Sequence, residues 1–262
     1  DLTSDLERLK QPGAANVLVN DVLDTEEREV LLARASGYTV VNIEDLGAGA
    51  RFADWVVNAL YSANMNGHGH HVASGAPWAT LRHEFHGLPL KEPREVPQRV
   101  LVTFGGTDPA GLSARFGAAL GNSDLGVDVH VVLGLGASDI ELPDGVTVKR
   151  SIRSMAAEMM AADVVVTSAG RTVYEAAATG TPVVAVAQNA REATHAHLGA
   201  DTGVIFLGIG TLVDDAHLVA TVRRLLNDRT IRGELGARLR RSIDAKGAER
   251  IAHRIRGLMR GL

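Results

Sequence analysis

Glu175 is a lone carboxylate set one turn inside what reads as a helix, in the stretch "VVVTSAGRTVYEAAATGTPVV" (164–184). An apolar strand runs there into Ser168, Ala169 and Gly170, and the helix opens on Arg171 and Thr172. Small residues at a strand-to-helix turn let a ligand reach the backbone. The N–H groups at a helix start attract an anion such as phosphate. Glu175 follows Arg171 by four residues, so the two can share one helix face. A carboxylate so placed can accept two hydrogen bonds from a ribose diol, while the helix start holds phosphate or a base carbonyl. The plainer alternative is an exposed Arg–Glu pair, which contributes little.

Other junctions have a similar form. "TFGGTDPAG" (103–111) places Gly105, Gly106, Thr107 and Asp108 between a strand and a helix. It reads either as a second anion-attracting helix start or as a tight turn capped by Thr107 or Asp108. It is neither a P-loop nor a dinucleotide fingerprint, because both spacings fail. "AVAQNAREATHA" (185–196) sets Gln188 and Asn189 at a strand end. Asn189 can cap the next helix, touch a sugar with its amide, or do both. "NGHGHH" (66–71) holds three histidines in a glycine-rich loop. No neighbouring carboxylate or cysteine completes a metal set, so a solvated loop or a lid is expected and no metal. The arginine-rich end reads first as a solvated helix face and second as a contact for an anionic membrane surface.

These junctions need a scaffold. The chain has 262 residues, enough for two domains of ordinary size. Apolar residues are 45%, charged 22% and aromatic only 4%, which suits Val-rich strands covered by small-residue helices. A net charge of −4 argues against a general nucleic-acid binder. With no cysteine, a disulfide framework is excluded and a cytoplasmic location is compatible. No apolar run reaches the length of a membrane span and no signal peptide opens the chain; its first residue is Asp1, so the start is expected to be processed, cut or left out.

Strands are predicted at 16–21, 39–45 and 53–60, with a helix at 25–36. The pattern dissolves from 61 to 99, and 90–98 looks like a linker. A second series has strands at 99–106, 127–135, 145–150, 163–170, 181–189 and 203–209. Helices are predicted at 110–121, 154–162, 171–180, 190–201, 214–227 and 230–260. Alternation of this kind means parallel sheets with helices on both faces, and ligands beyond the carboxyl ends of the strands. The expected fold is therefore α/β, with two Rossmann-like halves at 1–96 and 97–262.

Taken in order, "DVLDT", "VNIEDL", "ADWVVNALY", "ATLRHEF", "RVLVTFGGTDPAG" and "MAAEMMAADVVVTSAGRTVYEAAATGTPVVAVAQNA" resemble the nucleotide-sugar hydrolase of pseudaminic acid biosynthesis and the related spore-coat polysaccharide proteins. That group is similar in turn to the glycosyltransferase that makes lipid II. The resemblance runs from about Asn16 to about Gly210. It implies a GT-B-like fold, with two Rossmann-like parallel-sheet halves facing a cleft and a UDP-sugar held mainly by the second. It places Gly105, Gly106 and Thr107 along the cleft. Ser168, Ala169, Gly170 and Thr172 cradle the nucleotide and phosphates, and Glu175 holds ribose. Asn189 lies at the sugar, and Arg82 and Glu84 in a segment where the halves cross. Arg171 and Gln188, beside these positions, are counted with the substrate-binding candidates. Asn189 and Asp21 are the implied catalytic positions. Two departures stand out. The family's opening Gly-x-Gly-His-x-x-Arg loop has no counterpart here, so the first half is expected to be truncated. Its Asp-His-Tyr strand end is here Asp21-Val22-Leu23.

The expected function is action on a nucleotide-activated sugar, as UDP-sugar hydrolase or glycosyltransferase-like enzyme, in surface-glycan or sialic-acid-like sugar biosynthesis. No cofactor and no nucleic-acid partner are implied. The alternative is a non-catalytic sugar-nucleotide-binding domain of a larger or fused enzyme. A dehydrogenase is disfavoured by the missing G-x-G-x-x-G.

Overall fold

The computed structural model describes residues 2–10, 16–62, 71–198 and 200–260. The chain forms two compact units, Asp1–Thr80 with Lys246–Leu262, and Leu81–Ala245.

The first unit begins with a helix not anticipated from the sequence, α1 (Leu2–Leu9), followed by β1 (Asn16–Asp21), α2 (Glu27–Ala35), β2 (Tyr38–Ile43), β3 (Trp55–Asn58) and β4 (Val72–Ser74). Among the described residues its sheet is four-stranded and parallel, in the order β1-β2-β3-β4. Neighbouring residues of a strand point to opposite faces. Val40 and Val56 accordingly join Leu6, Val30 and Ala33, while Val41, Trp55 and Val57 join Ile251 from the last helix. Both faces are covered, which is why these strands read as continuous apolar runs.

At the carboxyl end of that sheet, buried acids satisfy buried backbone. Asp45 accepts from the N–H of Thr25 at 2.9 Å, the N–H of Gly47 at 2.8 Å and the amide of Asn42 at 2.6 Å. Glu44, at φ 55°, accepts from the N–H groups of Ala59 at 3.1 Å and Leu60 at 3.2 Å.

The second unit contains β5 (Arg99–Thr103), α3 (Leu112–Gly121), β6 (Asp128–Val132), β7 (Val146–Lys149), α4 (Met155–Ala161), β8 (Val164–Ser168), α5 (Thr172–Thr179), β9 (Val183–Ala187), β10 (Val204–Ile209), α6 (Asp215–Asn227) and α7 (Arg229–Ser242). The closing helix α8 (Gly247–Arg260) lies in the segment that belongs to the first unit. The second sheet is parallel throughout, in the order β10-β9-β8-β5-β6-β7. Counted from β5 as the first strand, this is the Rossmann order 3-2-1-4-5-6, with the chain reversing direction between β5 and β8. Val100, Val102, Val164, Val166, Val184 and Val186 supply one face of the core, against Phe104, Phe116, Leu120, Leu218 and Leu225. Leu101, Val165, Val183 and Ala185 between them are equally buried, so both faces are covered.

The stretch expected as a linker, 90–98, has neither helix nor strand, yet it is tied firmly to the amino end of this sheet. The Lys91 ammonium donates to Met159 O at 3.1 Å, to Thr181 Oγ1 at 2.7 Å and to Ala162 O. Burial pushes its pKa down to about 7. Asp163 accepts from the N–H groups of Gln98 at 2.7 Å and Arg99 at 2.9 Å, and pairs with Arg94 at 3.0 Å.

Two helix expectations are corrected. The segment 190–201 is a series of short 3-10 turns at Glu192–Thr194, Ala196–Leu198 and Ala200–Thr202. Its polar side chains bond to nearby backbone instead of facing solvent from a regular helix. The span 230–260 is interrupted between α7 and α8, where Ala245 takes a positive φ of 60°.

Helix α7 meets α5 through glycine. A Cβ at Gly236 would lie 2.3 Å from the carbonyl oxygen of Gly180, a backbone atom that no rotamer change can move aside. Gly236→Ala should therefore cost about 1–3 kcal/mol of unfolding free energy. Chemical denaturation would measure it, and an unaltered midpoint would contradict so close an approach.

Candidate functional site

Carboxyl ends flanking a strand-order reversal are where an open α/β sheet forms a ligand crevice. The two junctions there are the loop from β5 to α3 and the loop from β8 to α5. The first holds Gly105, at φ 81°, and Gly106; a Cβ on either would meet nothing within 4 Å. This loop is braced from the end of β6. Gly136 donates its N–H to Gly106 O at 3.0 Å, and a Cβ on Gly134 would fall 2.3 Å from that same oxygen. Thr107 is exposed.

The anion-attracting start expected for the helix after β5 is not open. Asp108, at φ 44°, accepts from the N–H of Leu112 at 3.0 Å and of Ser113 at 2.8 Å. The capping alternative is the one realised, and the chain's own carboxylate takes the place of a ligand anion.

The second junction differs. Ser168 and Ala169 are buried, Gly170 is half-buried, and no side chain caps α5. Neither the Gly170 nor the Thr172 N–H meets a backbone acceptor among the described residues. One turn into this helix sits Glu175. Its partner is not Arg171 but Arg82, which donates from Nε at 3.2 Å and from Nη2 at 3.1 Å. Arg82 also reaches Glu84 at 2.8 Å and lies over the Phe85 ring. Glu84 in turn accepts from Ser154 Oγ at 2.6 Å, at the start of α4. Burial raises the Glu175 pKa above the usual carboxylate value, with the Arg82 charge opposing it.

The end of β9 completes the rim. Gln188 Nε2 donates to Phe104 O at 3.2 Å, spanning from β9 to the end of β5. Asn189 is exposed, and its Oδ1 accepts from the Glu192 N–H at 3.0 Å, capping the first 3-10 turn. Sequence reasoning missed three residues here. Glu192 accepts from the Gln188 N–H at 2.8 Å, and the Ala169 N–H is close enough to temper the effect of burial on its carboxyl. His195, buried, bonds through Nδ1 to Ala169 O at 2.7 Å. His197, also buried, packs its ring against Tyr174 at 4.9 Å and against His195 at 5.6 Å. Neither nitrogen of His197 makes a hydrogen bond among the described residues, although the Ala169 carbonyl is close enough to temper the effect of burial.

Arg82, Gly105, Gly106, Thr107, Ser168, Ala169, Gly170, Arg171, Thr172, Glu175, Gln188 and Asn189 all belong to the second unit. Asp21 closes β1 in the first unit and is exposed. Of the histidine loop, 66–70 lies outside the described residues; His71 is within them. Among the described residues no group of three or more His, Cys, Asp or Glu is arranged to hold a metal, and no helix is long and apolar enough to cross a membrane. A cavity of about 480 Å³ lies elsewhere in the second unit, between 90–93 and α7. Lys91 and Arg232 in its lining are bonded to backbone carbonyls and a threonine hydroxyl, which makes them structural cations.

The architecture has many counterparts of known structure. MurG of Acinetobacter baumannii superimposes with a TM-score of 0.64 at 16% identity, covering 100% of this chain and 76% of MurG. A TarM mutant of S. aureus, solved with fondaparinux, alpha-GlcNAc-glycerol and UDP, gives 0.65 at 13%, covering 98% and 58%. The fold is GT-B-like. No family model matches. In sequence, the chain is 28% identical over 160 residues to the uncharacterized protein MJ1062 of Methanocaldococcus jannaschii, across 53% of this chain and 33% of that one. It is 28% identical over 167 residues to the spore coat polysaccharide biosynthesis protein SpsG of Bacillus subtilis, across 59% and 48%. These matches span between a third and a half of the curated relatives' length.

Burial pushes the His197 pKa down to about 3. An unfolded histidine titrates near 6.5, so between that value and 3 the unfolded chain binds a proton that the folded one refuses. Stability is therefore lost as pH falls from about 6.5 toward 3, at up to roughly 1.4 kcal/mol per pH unit. His197→Phe, which keeps a ring against Tyr174, should lose about 1–2 kcal/mol less than the parent between pH 7 and pH 5. Urea titrations at both pH values measure the difference; parallel losses would contradict a buried neutral imidazole.

Proposed function

We propose that the chain binds a nucleotide-activated sugar, UDP-linked, and cleaves it at the anomeric carbon as a glycosyltransferase-like enzyme or hydrolase of surface-glycan or sialic-acid-like sugar biosynthesis. The observation that carries this reading is the uncapped start of α5 at the strand-order reversal, with Glu175 one turn inside it. The N–H groups of Gly170 and Thr172 take the phosphates, and Glu175 accepts from the ribose diol as Arg82 moves to the diphosphate. Gly105, Gly106 and Thr107 offer open backbone to the rest of the ligand, and Gln188 and Asn189 lie toward the sugar. The SpsG relative supports the polysaccharide context.

In the reaction the bond from the anomeric carbon to the diphosphate oxygen breaks, and an acceptor hydroxyl or a water forms the new one. The nucleophile's proton passes to a base. Charge developing on the leaving diphosphate is met by preorganised N–H groups. Binding without turnover is the second reading, favoured by Val22-Leu23 standing where the family has His-Tyr after the aspartate.

Incubation with UDP-N-acetyl sugars, followed by assay of released UDP beside a UDP titration, separates the two. Gly170→Val should weaken UDP at least tenfold while melting near the parent. The new Cβ meets only Ser168 Oγ at 3.5 Å and Glu192 Oε1 at 4.0 Å, both ordinary contacts. Undiminished affinity in the folded variant would refute the site. UDP affinity should also fall on acidification at a higher pH than an ordinary carboxylate dictates, since Glu175 must be ionised and burial raises its pKa. Glu175→Gln should bind weakly without that dependence.

A further inference from the structure

Two side chains of the segment after β9 grip one residue of the loop after β8. Glu192 takes the Gln188 N–H at 2.8 Å, and the Ala169 N–H is close enough to temper the effect of burial on its carboxyl. His195 meets the Ala169 carbonyl at 2.7 Å. Because that partner is a carbonyl oxygen, Nδ1 is the protonated nitrogen of the ring. Ala169 is fully buried. The N–H and the carbonyl of one residue belong to successive peptide planes; His195 fixes the plane of the Ala169 carbonyl, and Glu192 faces the plane of its N–H. In a trans peptide the carbonyl and the N–H across the bond point in opposite directions, and no cis bond occurs among the described residues. Holding the Ala169 carbonyl against His195 therefore directs the Gly170 N–H the opposite way, at the start of α5, where it has no backbone acceptor.

We propose that Glu192 and His195 are positioning residues that clamp Ala169 from both sides, and so aim the Gly170 N–H at the anionic group of the ligand. The clamp itself stands on the geometry; its consequence for binding rests on the nucleotide reading above. Neither residue touches the ligand in this scheme. Asn189 contributes by capping the turn that carries Glu192, at 3.0 Å. Without the clamp the loop keeps its small residues but loses the fixed direction of its donor. Preorganisation of that kind separates a binding site from a flexible turn of the same composition.

The test combines a spectroscopic signature with affinity. In the ligand-free protein, E192Q replaces a carboxylate acceptor by an amide of the same shape, and the amide proton resonances of Ala169 and Gln188 should both move upfield. The ¹⁵N spectrum of His195 should show the Nδ1–H form. For UDP, E192Q and H195F should each weaken binding about tenfold. H195Q, whose side-chain amide can donate to the same carbonyl, should return to within about threefold of the parent. An unmoved Ala169 amide in E192Q overturns the clamp, whatever UDP does. UDP affinities equal to the parent in folded E192Q and H195F overturn its role in binding. Failure of the parent protein to bind UDP refutes the nucleotide reading instead, and leaves the amide shift to judge the clamp.

Discussion

The structure of the candidate site depends on one topological constraint, the reversal of strand order between β5 and β8. These two strands are hydrogen-bonded neighbours, in register from Val100 with Val164 to Thr103 with Thr167. The chain leaving β5 goes on to a helix in contact with β6, and the chain leaving β8 to a helix in contact with β9. The connections diverge, and the backbone ends between them cannot be covered by either helix. A crevice at these strand ends follows from strand order alone.

How the chain treats N–H donors distinguishes this site from other loops of the fold. Several buried and part-buried N–H groups elsewhere are given to the chain's own carboxylates. Glu44 serves Ala59 and Leu60, Asp45 serves Thr25 and Gly47, and Asp163 serves Gln98 and Arg99. Asp108 closes α3 and Glu192 serves Gln188. An unpaired buried donor costs about 1–3 kcal/mol, and these five acids remove that cost. The start of α5 differs from these, with no side-chain cap among the described residues. A helix start left open beside two junctions filled by internal anions has little reason in stability.

Much of this was legible in the sequence, because buried parallel strands are continuous apolar runs and their carboxyl ends are marked by glycine and small residues. β8 and β9 are buried at every position, and "VVVTS" and "VVAVA" read that way directly. The partner of Glu175 was not legible. Arg171 is near in sequence, but Arg82, 93 residues away, makes the pair, and only tertiary structure brings it there. The helix expected over 190–201 failed because Glu192 bonds to the backbone at the end of β9 and His195 to that of the loop after β8, an arrangement that periodicity cannot reveal. A Gly-Leu-Gly at 134–136 after β6 was a missed signal. Glycines at another strand's carboxyl end support Gly105 and Gly106 from below. The return of α8 to the first sheet could not be read either, since an amphipathic helix shows that it has a buried face but not which sheet covers it.

The pairing of Glu175 with Arg82 bears on whether the site can accept a ligand at all. An acid already satisfied by a buried, rigid partner would not exchange it for a sugar hydroxyl. Asp108 is of that kind: it is held by two backbone donors of its own helix. Arg82 is different. Its side chain is 56% exposed while that of Glu175 is 17% exposed. A pair with one member in solvent contributes about 0–1 kcal/mol, comparable with one hydrogen bond to a diol and less than two. Arg82 therefore holds the Glu175 carboxylate in orientation without competing strongly for it. Its guanidinium is held as well by Glu84 at 2.8 Å. Under the proposed function, a weak internal ion pair of this kind yields to a ligand that offers the acid two donors and the arginine a phosphate.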